Sequence, residues 1–222
     1  MYKTETHAHT MPVSRCSRIT PEEMVRLYKE RGYTTLFISD HFSDYHFNPD
    51  NAWECNVDLL YDAYEKARVE GDRLGLTVLF SPELSCQGNH YLLYGVTPAF
   101  LKARPDFFSL TVEQVAEYAR AHGVKMIQAH PYRDGKCYPT VAFVQGIEAI
   151  NTNPRHENFD DRCLMLARET GIPVTGGSDT HRPEDVGLAA VLSEEPIRSA
   201  EEYLTLLAEG RLHIQRGEEV LL

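Results

Sequence analysis

The chain has 222 residues and no apolar run approaching the length needed to cross a bilayer, so a helical membrane span is not expected. It has no Cys-x-x-Cys pair. Its five cysteines, at 16, 55, 86, 137 and 163, are scattered and odd in number, which reads as free thiols in a reducing compartment rather than a disulfide framework. Burial as small side chains accounts for at least three of them, while Cys16 and Cys86 lie close in sequence to the metal-capable residues described below. There is no Lys/Arg block and no basic stripe interleaved with aromatics. With a formal net charge of −11, the chain repels nucleic acid at long range, and a nucleic-acid polymer is not an expected partner. No linker, low-complexity segment or internal repeat interrupts it, so residues 1–222 are expected to form one domain. The opening residues Met1-Tyr-Lys-Thr-Glu lack the pattern of a signal peptide, and a cytoplasmic location is expected.

What the sequence has instead is histidine and a recurring design. Thr6-His7-Ala-His9, Leu36-Phe-Ile-Ser-Asp40-His41, Phe80-Ser-Pro-Glu83, Met126-Ile-Gln-Ala-His130 and Ile172-Pro-Val-Thr-Gly-Gly-Ser-Asp179-Thr-His181 each deliver His, Asp or Glu at or near the end of an apolar run. In His90-Tyr-Leu-Leu-Tyr the histidine comes first. Any one of these histidines alone reads as an ordinary surface or core residue. The joint placement of His7, His9, His41, Glu83, His90, His130, Asp179 and His181 is what points to a metal site. In His7-x-His9, alternate residues of a strand share a face, so both imidazoles point the same way, as chelation needs.

Strands alternate with helices along the chain. Short strands are expected over 4–10, 34–39, 76–79, 90–96, 124–129, 146–150 and 172–177. The Gln87-Gly-Asn turn makes a hairpin that brings Glu83 and His90 together at its turn end. Thr20-Pro21-Glu22-Glu23, Thr111-x-x-Gln114 and Ser199-x-x-Glu202 are helix starts with a capping side chain, and Gly32, Gly123 and Gly171 stand at helix ends. A helix is expected from Val57 to Gly71 or Gly75, a short one over 139–144, another over 160–170, and weak strand character over Leu212–Leu222. Residues 43–56 read as a loop, with Tyr45 and Trp53 as parts of a lid. The alternation predicts a mainly parallel sheet. Functional groups repeated at strand C-termini predict a small or irregular (β/α) barrel with its site at that end.

Imidazole and carboxylate together suit Zn, Mn, Fe or Ni. Eight ligands are too many for one ion and enough for two, and Glu83 is the natural bridge because it lies between the two sets in sequence. Only Glu83 and Asp179 are anionic among the eight, so two divalent ions leave the pocket net positive within an acidic chain. Such a pocket favours an anionic group, phosphate above all.

The ordered set His7-Ala-His9-Thr10, Ser39-Asp40-His41, Glu83, His90, Ala129-His130-Pro131 and Gly177-Ser-Asp179-Thr-His181 resembles the successive motifs of the PHP family, named for polymerase and histidinol phosphatase. The resemblance spans residues 7 to 181. It implies a distorted (β/α)7 TIM-like barrel holding two or three divalent ions, Zn, Mn or Fe. It implies one ion on His7, His9, Glu83 and Asp179, a second on Glu83, His90 and His130, and a third position at His41 and His181. Trinuclear members often carry a further His shortly after the His-x-His pair. Here Met11-Pro-Val-Ser-Arg15-Cys16-Ser has none. Either Cys16, a water or an indirect contact completes the third position, or the site holds two ions. His46, in the next loop, is a possible substitute but reads as a surface histidine, as do His122 and His213.

The expected activity is phosphomonoester hydrolysis of a small phosphorylated substrate, with a metal-bridging hydroxide attacking phosphorus. Arg15, Arg133 and Arg182 each follow a motif and are candidate phosphate clamps, Arg133 with a catalytic role as well. Asp40, also a candidate catalytic residue, is expected to orient a neighbouring imidazole. Asn151 and the Asn153–His156 segment are placed to reach substrate. Two other readings stand beside this one. One is an amidohydrolase-like enzyme acting on a non-phosphate bond, although such enzymes usually supply a bridging Lys or acid and a longer chain, and the early Glu83 and the Gly-Ser-Asp-x-His ending fit the PHP pattern better. The other is a metal-holding domain that binds a phosphorylated ligand without turning it over. A polymerase-associated nuclease fits least, given the acidity.

Overall fold

The computed structural model describes residues 1–221. Twelve strands form two six-stranded sheets, and six α-helices pack around them. The first sheet contains β1 (Tyr2–Ala8), β2 (Thr35–Ile38), β4 (Thr77–Phe80), β10 (Ala189–Ser193), β11 (His213–Arg216) and β12 (Glu219–Val220). The second contains β3 (His41–Phe42), β5 (Glu83–Cys86), β6 (Asn89–Tyr94), β7 (Lys125–Ala129), β8 (Gly146–Asn151) and β9 (Val174–Gly177).

The sheets are joined at two seams. At one, β2 runs on into β3 and β4 into β5. Bonds from Ser81 N to Ile38 O (3.0 Å) and from Glu83 N to Asp40 O (3.1 Å) carry the pairing across the bend. At the other, the end of β1 meets the segment after β9 through the parallel bridge Ala8↔Thr180, with His9 N donating to Thr180 O at 2.9 Å and Thr180 N to His7 O at 3.1 Å. The staves are therefore β1, β2/β3, β4/β5, β6, β7, β8 and β9, the distorted seven-stave barrel that the alternation and the family resemblance imply.

The sheet is mixed rather than mainly parallel. β1–β2–β4, β3–β5 and β7–β8–β9 pair in parallel, but β6 is antiparallel to both neighbours and β10 is antiparallel to β1. The reason is local. Gln87 and Gly88 both adopt positive φ (50° and 78°), the two-residue hairpin geometry, so the chain reverses there with no crossover helix. β10 and the helix α3 (Pro98–Lys102) have no counterpart among the expected elements.

The capped helices form where the sequence marks them. In α1 (Pro21–Glu30) Thr20 Oγ1 accepts from Glu23 N, and Pro21, Met24, Val25 and Tyr28 are buried. In α4 (Val112–Ala121) Thr111 and Gln114 complete a reciprocal capping box. α6 (Ala200–Ala208) is capped by Ser199 and α5 (Asp160–Thr170) ends on left-handed Gly171. The longest helix, α2, runs Trp53–Leu74 and ends on left-handed Gly75. It thus begins inside the segment expected to be loop. Trp53 is no lid residue: its Nε1 donates to Leu101 O at 3.0 Å and its ring packs against Phe42, Phe47 and Phe108. Tyr45, by contrast, is exposed. Gly71 lies inside α2 rather than at its end. There a Cβ would stand 2.5 Å from Val78 Cγ2, so the glycine sets how closely helix and β4 approach.

The apolar core divides into three clusters: one on the helix α1/α2 side, around Met24, Tyr28, Leu36 and Ile38, a larger one under β5–β8, around Phe42, Tyr91, Val115 and Ile147, and a third around Phe37, Leu92, Tyr94, Ile127 and Tyr203. Among the described residues, no helix is long and apolar enough to cross a membrane.

Candidate metal centre

All eight expected ligands converge at one end of the barrel. His7 is the last-but-one residue of β1 and His9 lies just past its end. Their rings stand 4.9 Å apart, and both Nε2 atoms face Asp179 Oδ1, at 3.6 and 3.2 Å. Glu83, the first residue of β5, sits at the centre. Its Oε1 is 3.3 Å from His7 Nε2, 3.1 Å from His130 Nε2 and 3.7 Å from His90 Nδ1, and its Oε2 is 2.7 Å from His41 Nδ1 and 3.8 Å from His9 Nε2. Glu83 and His90 do meet, but away from the turn: Cys86 pairs with Asn89 at the turn while Glu83 pairs with Leu92. His181 stacks on His9 at 4.3 Å. His130 (φ 31°) and Asp179 (φ 50°) both hold left-handed backbone, costly for residues with a Cβ and found where surroundings over-determine a site.

The donor set of this cluster is of the kind that can hold cations. Among the described residues, His7 Nε2, His9 Nε2, His90 Nδ1 and His130 Nδ1 are buried with no hydrogen-bond partner, and Glu83 Oε2 has only the His41 ring at 2.7 Å. Each such atom costs desolvation energy unless something else satisfies it. Donor atoms of His7, His9 and Asp179 lie within 4.8 Å of one another, as do those of His7, Glu83 and His130, and those of His9, His41 and His181. Burial alone would raise both carboxylates. The neighbouring rings, chiefly His90 and His7, outweigh it at Glu83, and Arg133 and His7 outweigh it at Asp179, so both are held well below the usual carboxylate range. Burial, reinforced by His41 and His181, drives His9 well down, leaving a neutral ring able to donate its lone pair.

The supporting shell is equally built. Glu148, buried on β8, accepts from His7 Nδ1 at 2.9 Å and from the backbone N–H of His130 at 3.2 Å. That hydrogen bond fixes the tautomer of His7 and turns its Nε2 toward the site. Asp40 accepts from Thr10 N, Thr10 Oγ1 and Ser14 Oγ at 2.5, 2.6 and 2.7 Å, and Ser14 Oγ lies 3.3 Å from His9 Nδ1. Asp40 therefore acts on the imidazole through Ser14. The hydrogen bonds of its carboxylate go to Thr10 and Ser14 and none goes to the ring itself. Asp185 accepts from the backbone N–H groups of His181 and Arg182 and is clamped by both Arg155 nitrogens. Behind the centre, Glu5 accepts from His7 N, Ser178 N and the Tyr28 hydroxyl, tying β1 to the Gly177–Ser178 turn. Glu148, Asp185 and Glu5 escaped the sequence reading. The available signal was a carboxylate inside an apolar strand, as in Gly146-Ile-Glu148-Ala-Ile.

The arginines separate. Arg133 is buried, with Nη2 on Asp179 Oδ2 (2.5 Å) and Asn151 Oδ1 (2.9 Å) and Nε on Asn158 Oδ1 (2.9 Å). It holds the outer oxygen of Asp179 and leaves Oδ1 to the ring nitrogens. Asn153 donates to the same Oδ2 at 3.2 Å. Arg182 lines the cavity above the centre together with Arg155, Lys136, His156 and Arg133. Arg15 does not: its Nη2 caps the carbonyls of Tyr45 and His46, and the side chain lines a separate groove. His46 departs from the surface expectation. It is half-buried, its ring stacks on His41 at 4.3 Å, and its Nδ1 is 2.9 Å from Ser43 Oγ. Cys16 Sγ is 3.3 Å from His41 Nε2. Burial would raise this thiol, but His181, His41 and His46 outweigh it and bring it down to about 4. His122 is exposed and bonded to Tyr118 O, outside the centre, and His213 is exposed on β11.

A family model described as PHP-associated matches residues 161–212, the stretch carrying Asp179 and His181. No curated protein matches the chain. Among solved structures, the chain is similar to a two-domain protein from Bacteroides vulgatus containing a predicted PHP-like metal-dependent phosphoesterase (TM-score 0.69, 16% identity, 99% of this chain and 66% of that one). It is similar to an amidohydrolase from Chromobacterium violaceum with bound sulfate (0.59, 18%, 97% and 98%). It is also similar to a lesion-specific endonuclease from Pyrococcus furiosus (0.61, 14%, 100% and 58%). The chain thus spans about two thirds of the Bacteroides protein and rather less of the endonuclease.

Proposed function

We propose that the chain is a PHP-type domain and that residues 1–222 act as one metal-dependent phosphoesterase unit hydrolysing a small phosphomonoester, a reading supported by the PHP-associated match over 161–212 and by the likeness in fold. The observation that carries this reading is the convergence of donor atoms at the barrel mouth, those of His7, His9 and Asp179 and those of His7, Glu83 and His130 each within 4.8 Å of one another, with His7 Nε2 and His9 Nε2 buried and without a hydrogen-bond partner. His7, His9, Glu83 and Asp179 would hold one ion, Glu83, His90 and His130 a second, and His41 with His181 a third. When bound, divalent ions there would lower the pKa of a water and stabilise charge developing on the phosphoryl oxygens.

The chain's own residues supply the rest. Arg182, with Lys136 and Arg155, gives the wall of the cavity a positive rim for a phosphate dianion, and Arg182 is the clamp on this reading. Arg133 reaches the reaction by fixing Asp179. Asp40 keeps His9 oriented through Ser14. The cavity, about 400 Å³, suits a small molecule, and the acidic chain disfavours a polymeric polyanion.

Hydrolysis of an aryl phosphate monoester, a bis-aryl phosphate diester and an aryl anilide by the Mn- or Zn-loaded protein tests this. The monoester should turn over fastest, and Arg182→Ala should raise its KM by roughly tenfold or more with a smaller change in kcat. Preferential cleavage of the anilide would move the activity to the amidohydrolase class, and preferential cleavage of the diester would point to a nuclease-like substrate.

A further inference from the structure

We propose that Cys16 and His46, with His41, form a sulfur-containing cation position at the barrel mouth, one that selects a soft divalent ion, zinc above manganese or magnesium. The inference rests on the reading of this end of the barrel as a metal centre. Donor atoms of Cys16, His41 and His46 lie within 4.8 Å of one another, and those of His9, His41 and His181 do likewise, so His41 is common to both groups.

The ring nitrogens are sorted by their other contacts. His41 Nδ1 faces Glu83 Oε2 at 2.7 Å, which leaves Nε2, 3.3 Å from Cys16 Sγ. His46 Nδ1 is engaged by Ser43 Oγ at 2.9 Å, and His181 Nδ1 by Asp179 O at 2.9 Å. Both rings are therefore fixed through one nitrogen with Nε2 left over, the arrangement in which a metal-bound imidazole is held by its second nitrogen. The segment after His-x-His that lacks a histidine thus brings a thiol to the place, and the next loop brings the imidazole. Thiolate and imidazole together suit zinc, while manganese and magnesium prefer oxygen. Cys16 lines the cavity above the centre, so a cation there is within reach of substrate.

The experiment is cobalt(II) substitution of the whole protein, read by absorption and by metal count per chain. The wild-type protein should show an intense sulfur-to-cobalt charge-transfer band in the near ultraviolet. Cys16→Ser should lose that band and one ion per chain. His46→Ala should weaken affinity for the same ion by at least roughly tenfold, with the remaining ions kept. Cobalt bound to the wild type with no sulfur band would overturn the inference and leave the phosphoesterase reading standing. The wild-type spectrum decides this even if a variant fails to fold. A wild type that binds no metal at all would remove both.

Discussion

At the scale of single residues, the centre is decided by which nitrogen each ring has free. Glu148 is the sharpest case, because it holds His7 Nδ1 and the His130 backbone at once. Glu148→Gln keeps the shape but weakens that hold. We expect a 10- to 100-fold loss of metal affinity, roughly, measured by competition with a chelator. Glu148→Asp should recover little, since the shorter side chain withdraws from His7. The convergence of these eight residues was legible in the sequence, because each stands at or beside the end of an apolar strand. The supporting carboxylates were not. A buried Glu148 and a surface glutamate look the same until the strand register places one behind a histidine. His46 and Arg15 were misread for a related reason. A loop's sequence says nothing of which way it folds, and the 43–52 loop turns His46 toward His41 while its carbonyls capture Arg15.

At the scale of elements, strand ends and their glycines set the site's dimensions. Gly177 closes β9 against β1, where an added Cβ would stand 2.7 Å from Glu148 Oε1, 2.8 Å from His7 Cβ and 2.9 Å from Thr6 Oγ1. Gly177→Ala should therefore cost about 1–3 kcal/mol by overpacking, seen in denaturant unfolding, and displace His7 enough to lower metal occupancy. Helices α1 and α2 are joined through Glu70, which accepts from Arg26 and is gripped by Arg73. The Arg73 and Arg26 guanidiniums hold the Glu70 carboxyl at about 2, below its ordinary 4.5. A depressed folded-state pKa means stability that is present above pH 4.5 and lost as pH falls toward 2. Glu70→Gln should flatten that part of an acid-unfolding curve, and added salt should shrink the difference. The capped helices and most strands were legible because caps and alternation are local. The β5–β6 hairpin was legible in the Gln87-Gly-Asn turn, whereas β10 was not, since strand direction depends on the partner. Nothing between Arg182 and Ser199 marks which partner that is.

At the scale of the whole molecule, the barrel gathers cations into a mouth lined by His and Arg while the chain as a whole carries net charge −11. The eight candidate ligands lie on or just after β1, β3, β5, β6, β7 and β9, so an ion there would tie most staves together. Metal held at a hundredfold over its Kd adds about 2.7 kcal/mol per ion to the folded state. For a chain of this size, chelation should lower Tm by roughly 5–10 °C for each ion removed. An unchanged melting curve would mean that the centre is not loaded.

The most direct test of the account is a metal count on the purified protein, paired with aryl phosphate turnover before chelation, after chelation and after reloading with Zn or Mn. The account predicts at least two ions per chain, turnover that disappears with them and returns on reloading, and loss of both in Asp179→Ala. Full turnover in the metal-free protein, or no metal bound under any loading condition, would contradict it.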